Sequence, residues 1–272
     1  MESVLPRVCF ISGLPRSGST MLAAILRQNP NFHAGMSSPL HGIFAGLLRS
    51  VGPANEYARA LSECQRERVI RGVFASYFAD VSDRKLIFDT NRGWCAHLAA
   101  LTSLFGEPRV ICCVRSPAWI LDSIERRVQS NPFSRNRMFP EEAAENVYTR
   151  ADYMLKKGIL SGSLQALRQA WYGENAARLI AVRYDSITAN PAEVVGRLYE
   201  LLGEEPFPHD FENLEYSEPG FDEQLGLPGL HEVRRRVEPS PRATVLPTDL
   251  FSQNDRSFWD VPGQNPRGVA IL

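Results

Sequence analysis

Eight residues constrain this chain more than any others: Gly13-Leu14-Pro15-Arg16-Ser17-Gly18-Ser19-Thr20. They follow a short apolar run, Val8-Cys9-Phe10-Ile11, and lead into a helical stretch, Thr20 to Arg27, that stops at Asn29-Pro30. A strand, a tight turn and a helix start together make the opening of a βαβ unit. Glycine lets the backbone turn sharply and come close to a ligand. Exposed N–H groups at a helix N-terminus attract an anion. Ser17, Ser19 and Thr20 add hydroxyls, Pro15 stiffens the turn, and Arg16 supplies the cation, so the segment reads as a phosphate cradle. The spacing of Gly13 and Gly18 and the hydroxyl of Thr20 agree with the P-loop pattern GxxxxGK(S/T), but Ser19 stands where the lysine belongs. A nucleotide hydrolase sets that lysine on the β- and γ-phosphates. Its absence argues against ATP or GTP hydrolysis and leaves phosphate binding favoured.

Further short apolar strands follow, at Lys85–Phe88, Arg109–Val114 and within 178–184. Helical periodicity covers 55–80, Trp94–Phe105, Pro117 to about Val128, 140–157, 162–175 and Pro191–Leu202, the last closed by Gly203. Unbroken apolar strands between helices predict an α/β fold, a P-loop-like central parallel sheet buried on both faces and flanked by helices. Nine of the nineteen prolines fall after position 203, where periodicity fades. That stretch reads as a loop-rich tail over the functional end of the sheet. A length of 272 residues suits a single domain, 1–272, with a core at 7–203 and a Pro-rich capping tail at 204–272.

Thirty basic residues against thirty-one acidic give a net charge of −1, which disfavours a nucleic-acid binder. The five cysteines form no CxxC pair and no zinc-spaced cluster, so neither a metal nor a disulfide framework is expected. No secretory leader and no apolar run of about 20 residues is seen, and a soluble, cytoplasmic protein is the expectation.

A second constellation lies about 100 residues downstream. The third strand ends in Val114-Arg115-Ser116-Pro117, and Ser123 follows eight residues after Arg115. An arginine at a strand end and a serine two helical turns on can converge on one phosphate, the guanidinium adding a fork of charged donors. A third motif is Ala181-Val182-Arg183-Tyr184-Asp185-Ser186, followed by Pro191. With these three motifs the chain resembles the sulfotransferase family, whose members carry PKSGTT or PRSGST at the first loop. The wording GLPRSGST is closest to the tyrosylprotein and carbohydrate branch. The resemblance implies 3′-phosphoadenosine-5′-phosphosulfate (PAPS) as sulfuryl donor. It puts Pro15 to Thr20 around the 5′-phosphosulfate, with Arg16 as the stabilising cation. It assigns Arg115 and Ser123 to the 3′-phosphate and Tyr184 to the nucleotide. In Leu230-His231-Glu232-Val233-Arg234-Arg235, similar to the branch's Leu-Ser-x-Val-x-Arg segment, Arg235 would reach the phosphate.

Sulfuryl transfer needs a cation at the bridging oxygen, a base for the acceptor's proton and a phosphate clamp; no metal is required. Here the chain departs from its relatives. The histidine that cytosolic relatives place after the second strand is missing from Phe88-Asp89-Thr90-Asn91-Arg92, and the branch's glutamate and lysine positions hold Ser37 and Thr90. His41, Asp89 and His231 remain as candidate bases, and Arg92 as a replacement cation. The acceptor is expected to be a hydroxyl on a small molecule, lipid or glycan, in a pocket shaped by 32–80 and 130–175. The aromatics there, among them Phe44, Phe74 and Phe133, are mostly core. Alternative readings are an atypical P-loop kinase and a catalytically inactive nucleotide-binding protein.

Overall fold

The computed structural model describes residues 7–52, 55–130, 138–216, 231–261 and 263–272. Phe133, Gly229 and Leu230 lie outside them. Six strands form one parallel sheet: β1 (Val8–Gly13), β2 (Phe32–Ala34), β3 (Leu86–Thr90), β4 (Val110–Val114), β5 (Leu179–Arg183) and β6 (Ala270–Ile271), in the order β2-β3-β1-β4-β5-β6. The central strand β1 pairs with β3 through Val8–Ile87 to Ile11–Thr90 and with β4 through Phe10–Val110 to Gly13–Cys113.

All six residues of β1 are buried, as are all five of β4, because each face of the sheet has its own core. The period of two sorts the strand residues between them. Val8, Phe10, Val110 and Cys112 join one core, and Cys9, Ile11, Ile111 and Cys113 the other. The first core takes α2 (Leu40–Val51), α3 (Glu63–Tyr77), α4 (Leu98–Phe105), α5 (Pro117–Ser130), α6 (Val147–Lys156), α7 (Ile159–Tyr172) and α10 (Thr248–Asn254). The second takes α1 (Ser19–Leu26), α8 (Tyr184–Ala189) and α9 (Pro191–Leu202).

The expected α/β architecture is present, with differences of detail. The helix read over 55–80 breaks into a short turn, Glu56–Ala60, and α3, because Ser62 caps α3 reciprocally with Gln65. Two strands, β2 and β6, are additional. Among its described residues the tail carries regular structure: β6 extends the sheet beside β5, and α10 lies against α5. Among the described residues no helix is long and apolar enough to cross a membrane.

Strand order reverses direction around β1 and β4, and in open α/β sheets ligands bind beyond the carboxyl ends of strands at such a point. The three motifs follow the carboxyl ends of β1, β4 and β5.

Candidate functional site

The loop after β1 is held by contacts that dictate its residue types. Gly13 has φ +112°, and a Cβ there would stand 2.2 Å from the Cys113 carbonyl oxygen. Leu14 N–H donates to that carbonyl at 2.9 Å, and the Ser17 hydroxyl donates to it at 2.8 Å. Ser17 is buried and its hydroxyl pins the loop to β4. The expected ligand-facing hydroxyl of Ser17 is therefore engaged within the protein, and its place in the cradle is that of a backbone segment. Arg16 is a non-glycine residue at positive φ, 59°, an uncommon conformation that a surrounding structure must enforce. Gly18, at φ +92°, precedes α1 with no side-chain cap, so the helix N-terminus keeps N–H donors for an anion.

The separate motifs meet here. Arg16 Nε donates to Ser123 Oγ at 3.2 Å. Arg115 Nη1 donates to the Arg16 carbonyl at 3.4 Å, and its guanidinium lies 4.0 Å from the centre of the Tyr184 ring. A Cβ on Gly18 would approach that ring to 3.0 Å. Burial holds the Arg115 guanidinium below the ordinary arginine value; Arg242 adds to this, while Tyr184, Asp185 and Asp122 oppose it.

One cavity collects these groups. Pro15, Arg16, Gly18, Ser19 and Thr20 line it with Arg115, Ser123 and Tyr184. Ser37, Thr90 and Arg92 form a further polar wall, and Ile124, Met138 and Ile159 an apolar one. The tail closes the remaining side with His231, Glu232, Arg234, Arg236, Glu238 and Arg242.

Besides Ser17, three expected site residues lie outside this lining. Asp89 is buried, with one carboxylate oxygen accepting from Ser38 Oγ at 2.6 Å and the other from Trp94 Nε1 at 2.7 Å. Burial pushes its carboxyl up, and the two hydrogen bonds pull it back in part. His41 packs behind it, edge-on to Trp94 at 5.1 Å between ring centres and 5.2 Å from His97. Burial, then the charge of His97, lowers its proton affinity. Arg235 donates to Asn213 Oδ1 at 3.1 Å. Its neighbours Arg234 and Arg236 line the cavity instead. Arg236 is paired with Glu212 at 2.7 Å.

Arg242 is a charged cavity residue that sequence reasoning missed. It is a single arginine between prolines and an alanine, with no motif to mark it, and a carboxylate 120 positions away holds it: Arg242 Nη2 donates to Asp122 Oδ2 at 2.6 Å. Among the described residues no group of three or more His, Cys, Asp or Glu is placed to hold a metal ion.

A model described as the sulfotransferase family matches residues 8–209. The nodulation protein NoeE of Sinorhizobium fredii is 28% identical over 236 residues, which are 79% of this chain and 54% of that protein. The chain thus spans about half the length of this curated relative. Among solved structures, the sulfotransferase domain from the curacin biosynthetic pathway is 18% identical, with 79% of each chain covered and a TM-score of 0.50. The sulfotransferase domain from the Synechococcus PCC 7002 olefin synthase is 17% identical, covering 91% of this chain and 93% of that one, with a TM-score of 0.48.

Proposed function

The chain belongs to the sulfotransferase family, and from that premise we propose that it transfers a sulfuryl group from PAPS to a hydroxyl of a small-molecule, lipid or glycan acceptor. The observation that carries this reading is the meeting of Arg16, Arg115, Ser123 and Tyr184, from three distant segments, at one cavity. The donor set fits a doubly phosphorylated nucleotide. Nε of Arg115 and Nε of Arg242 are buried without a hydrogen-bond partner, so each is a donor that a water or an anionic ligand can satisfy. Arg115, stacked on Tyr184, and Ser123 suit the 3′-phosphate, and the loop from Pro15 to Thr20 suits the 5′ end.

PAPS, when bound, supplies a sulfuryl group whose bond to the 5′-phosphate oxygen breaks as the acceptor oxygen attacks from the opposite side. Arg16 and the N–H groups at the start of α1 stabilise the negative charge left on that oxygen. Arg92, beside Thr90 and Ser37, offers a second cation across the cavity. The acceptor's proton goes to His231, the cavity-lining member of the three candidate bases. His41 and Asp89 support the wall from behind: Asp89 ties Ser38 to Trp94, and His41 packs on that indole. In this reading 1–272 works as one metal-independent cytoplasmic domain, with 204–272 covering the donor.

The test is release of 3′-phosphoadenosine 5′-phosphate from PAPS with a panel of hydroxyl acceptors. Acceptor-dependent release, unaffected by a metal chelator, is the expected outcome. His231→Gln should lower turnover by roughly 10²–10⁴-fold, and His41→Gln far less. Release with no acceptor tested, or transfer from Mg-ATP, would count against the proposal.

A further inference from the structure

Arg115 and Arg242 line the same cavity, carry the same charge and repel each other. Something must keep Arg242 there. Asp122 sits on α5 immediately before Ser123 and is fully buried. Its Oδ2 accepts from Arg242 Nη2 at 2.6 Å and from Arg126 Nε at 3.0 Å. Its Oδ1 accepts from Val245 N–H at 2.8 Å and from Thr244 Oγ1 at 3.1 Å. Three of these four donors belong to the tail. We infer that Asp122 is a positioning residue: its carboxylate ties the tail to the helix that carries Ser123 and so holds Arg242 against the cavity.

This inference rests on the proposed function for the identity of the anion, a nucleotide 3′-phosphate, but not for the anchor itself. A buried carboxylate with two guanidiniums and two neutral donors is costly to break from one side, because the remaining groups stay buried and unpaired. Arg242 also lies 5.7 Å from the centre of the Trp119 ring, so the tail is braced on the same helix at a second point. If the carboxylate acted only as glue, its loss would weaken every ligand alike. If it acts through Arg242, its loss should weaken ligands that carry the 3′-phosphate and spare those that lack it.

The experiment uses the full chain and the variants Asp122→Asn, Arg242→Gln, their combination, and Thr244→Val, which loosens the tie from the tail side without touching α5. Two readouts are taken. The first is amide hydrogen exchange over residues 242–246 without ligand. The second is the ratio of dissociation constants for adenosine 5′-monophosphate and 3′-phosphoadenosine 5′-phosphate. Asp122→Asn should speed exchange at Val245 by roughly tenfold or more and cut the preference for the bisphosphate by roughly tenfold. Thr244→Val should shift both in the same direction by less. In the Arg242→Gln background Asp122→Asn should change the preference little further. Unchanged exchange in Asp122→Asn and Thr244→Val would overturn the anchor. Equal losses for both nucleotides, undiminished in the Arg242→Gln background, would overturn the positioning role. A native protein with no preference for the bisphosphate would remove the proposed function, and the exchange readout would still decide the anchor.

Discussion

The sheet side and the tail side of the cavity hold comparable groups, arginines that line it, by different means. On the sheet side, Arg16, Arg115 and Tyr184 follow strand ends, and the backbone of β1 and β4 sets their places through hydrogen bonds such as Leu14 N–H to the Cys113 carbonyl. Positive φ at Gly13, Arg16 and Gly18 fixes the loop's path. On the tail side the backbone pairs beside the cavity are few, Leu214 N–H to the Arg235 carbonyl at 2.7 Å and Val237 N–H to the Phe211 carbonyl at 2.8 Å, and side-chain ties add to them. Arg242 is tied to Asp122, Arg236 to Glu212, and Asp255, just after α10, to Ser116, whose hydroxyl donates to Asp255 Oδ1 at 2.7 Å. A wall built from backbone geometry is rigid and tolerates little change of residue type. A wall built from side-chain ties can be loosened one tie at a time.

The largest effect should come from breaking the rigid wall. Gly13→Ala forces a side chain into positive φ and against the Cys113 carbonyl, so it should cost roughly 3 kcal/mol or more and lower the Tm by roughly 6–12 °C. Thermal unfolding of the variant checks this. Arg16→Ala removes charge without altering the sheet. Turnover should fall by roughly 10²–10³-fold with the Tm near that of the native protein, as read from kinetics and melting together. Arg115→Ala should weaken binding of 3′-phosphoadenosine 5′-phosphate by roughly 10- to 100-fold and leave adenosine 5′-phosphosulfate nearly unchanged. Equal losses for the two nucleotides would remove Arg115 from the 3′-phosphate.

The smallest effect concerns the tail and pH. Burial pushes the Asp122 carboxyl up, but Val245 N–H, Arg126 and Arg242 outweigh it and hold it below the ordinary value of 3.8. A depressed carboxylate stabilises the fold above its unfolded pKa and loses that contribution as pH falls through the folded value. The tie should therefore be intact above pH 3.8 and open only below it. Trp119 fluorescence followed through an acid titration should show this step, and Asp122→Asn should lack it.

The same contrast explains what was legible in the sequence. The cradle from Gly13 to Thr20 and the Arg115–Ser123 pair are local patterns, the pair joined by the short step from the end of β4 into α5. Strands such as Val110–Val114 announce themselves because both faces are buried. β2 and β6 do not, being only three and two residues long. The cap at Ser62, with Gln65 three residues on, was a readable break in the helix over 55–80. His41 and Asp89 lie close in sequence to positions that relatives use, yet their neighbours Trp94 and Ser38 draw them into the wall. Whether Arg235 or one of its neighbours faces the cavity depends on which way an irregular chain turns, and no local rule fixes that. Arg242 is placed by a carboxylate 120 residues away, which pattern reading along the chain does not reach.

The most direct measurement is calorimetric titration of the purified protein with 3′-phosphoadenosine 5′-phosphate, and separately with ATP in the presence and absence of Mg²⁺. Binding of the bisphosphate at micromolar concentration or below, indifferent to metal and much tighter than ATP, is the expected result. Tight binding of Mg-ATP with no heat from the bisphosphate would contradict the sulfuryl-donor site and return the cavity to a phosphoryl-transfer role.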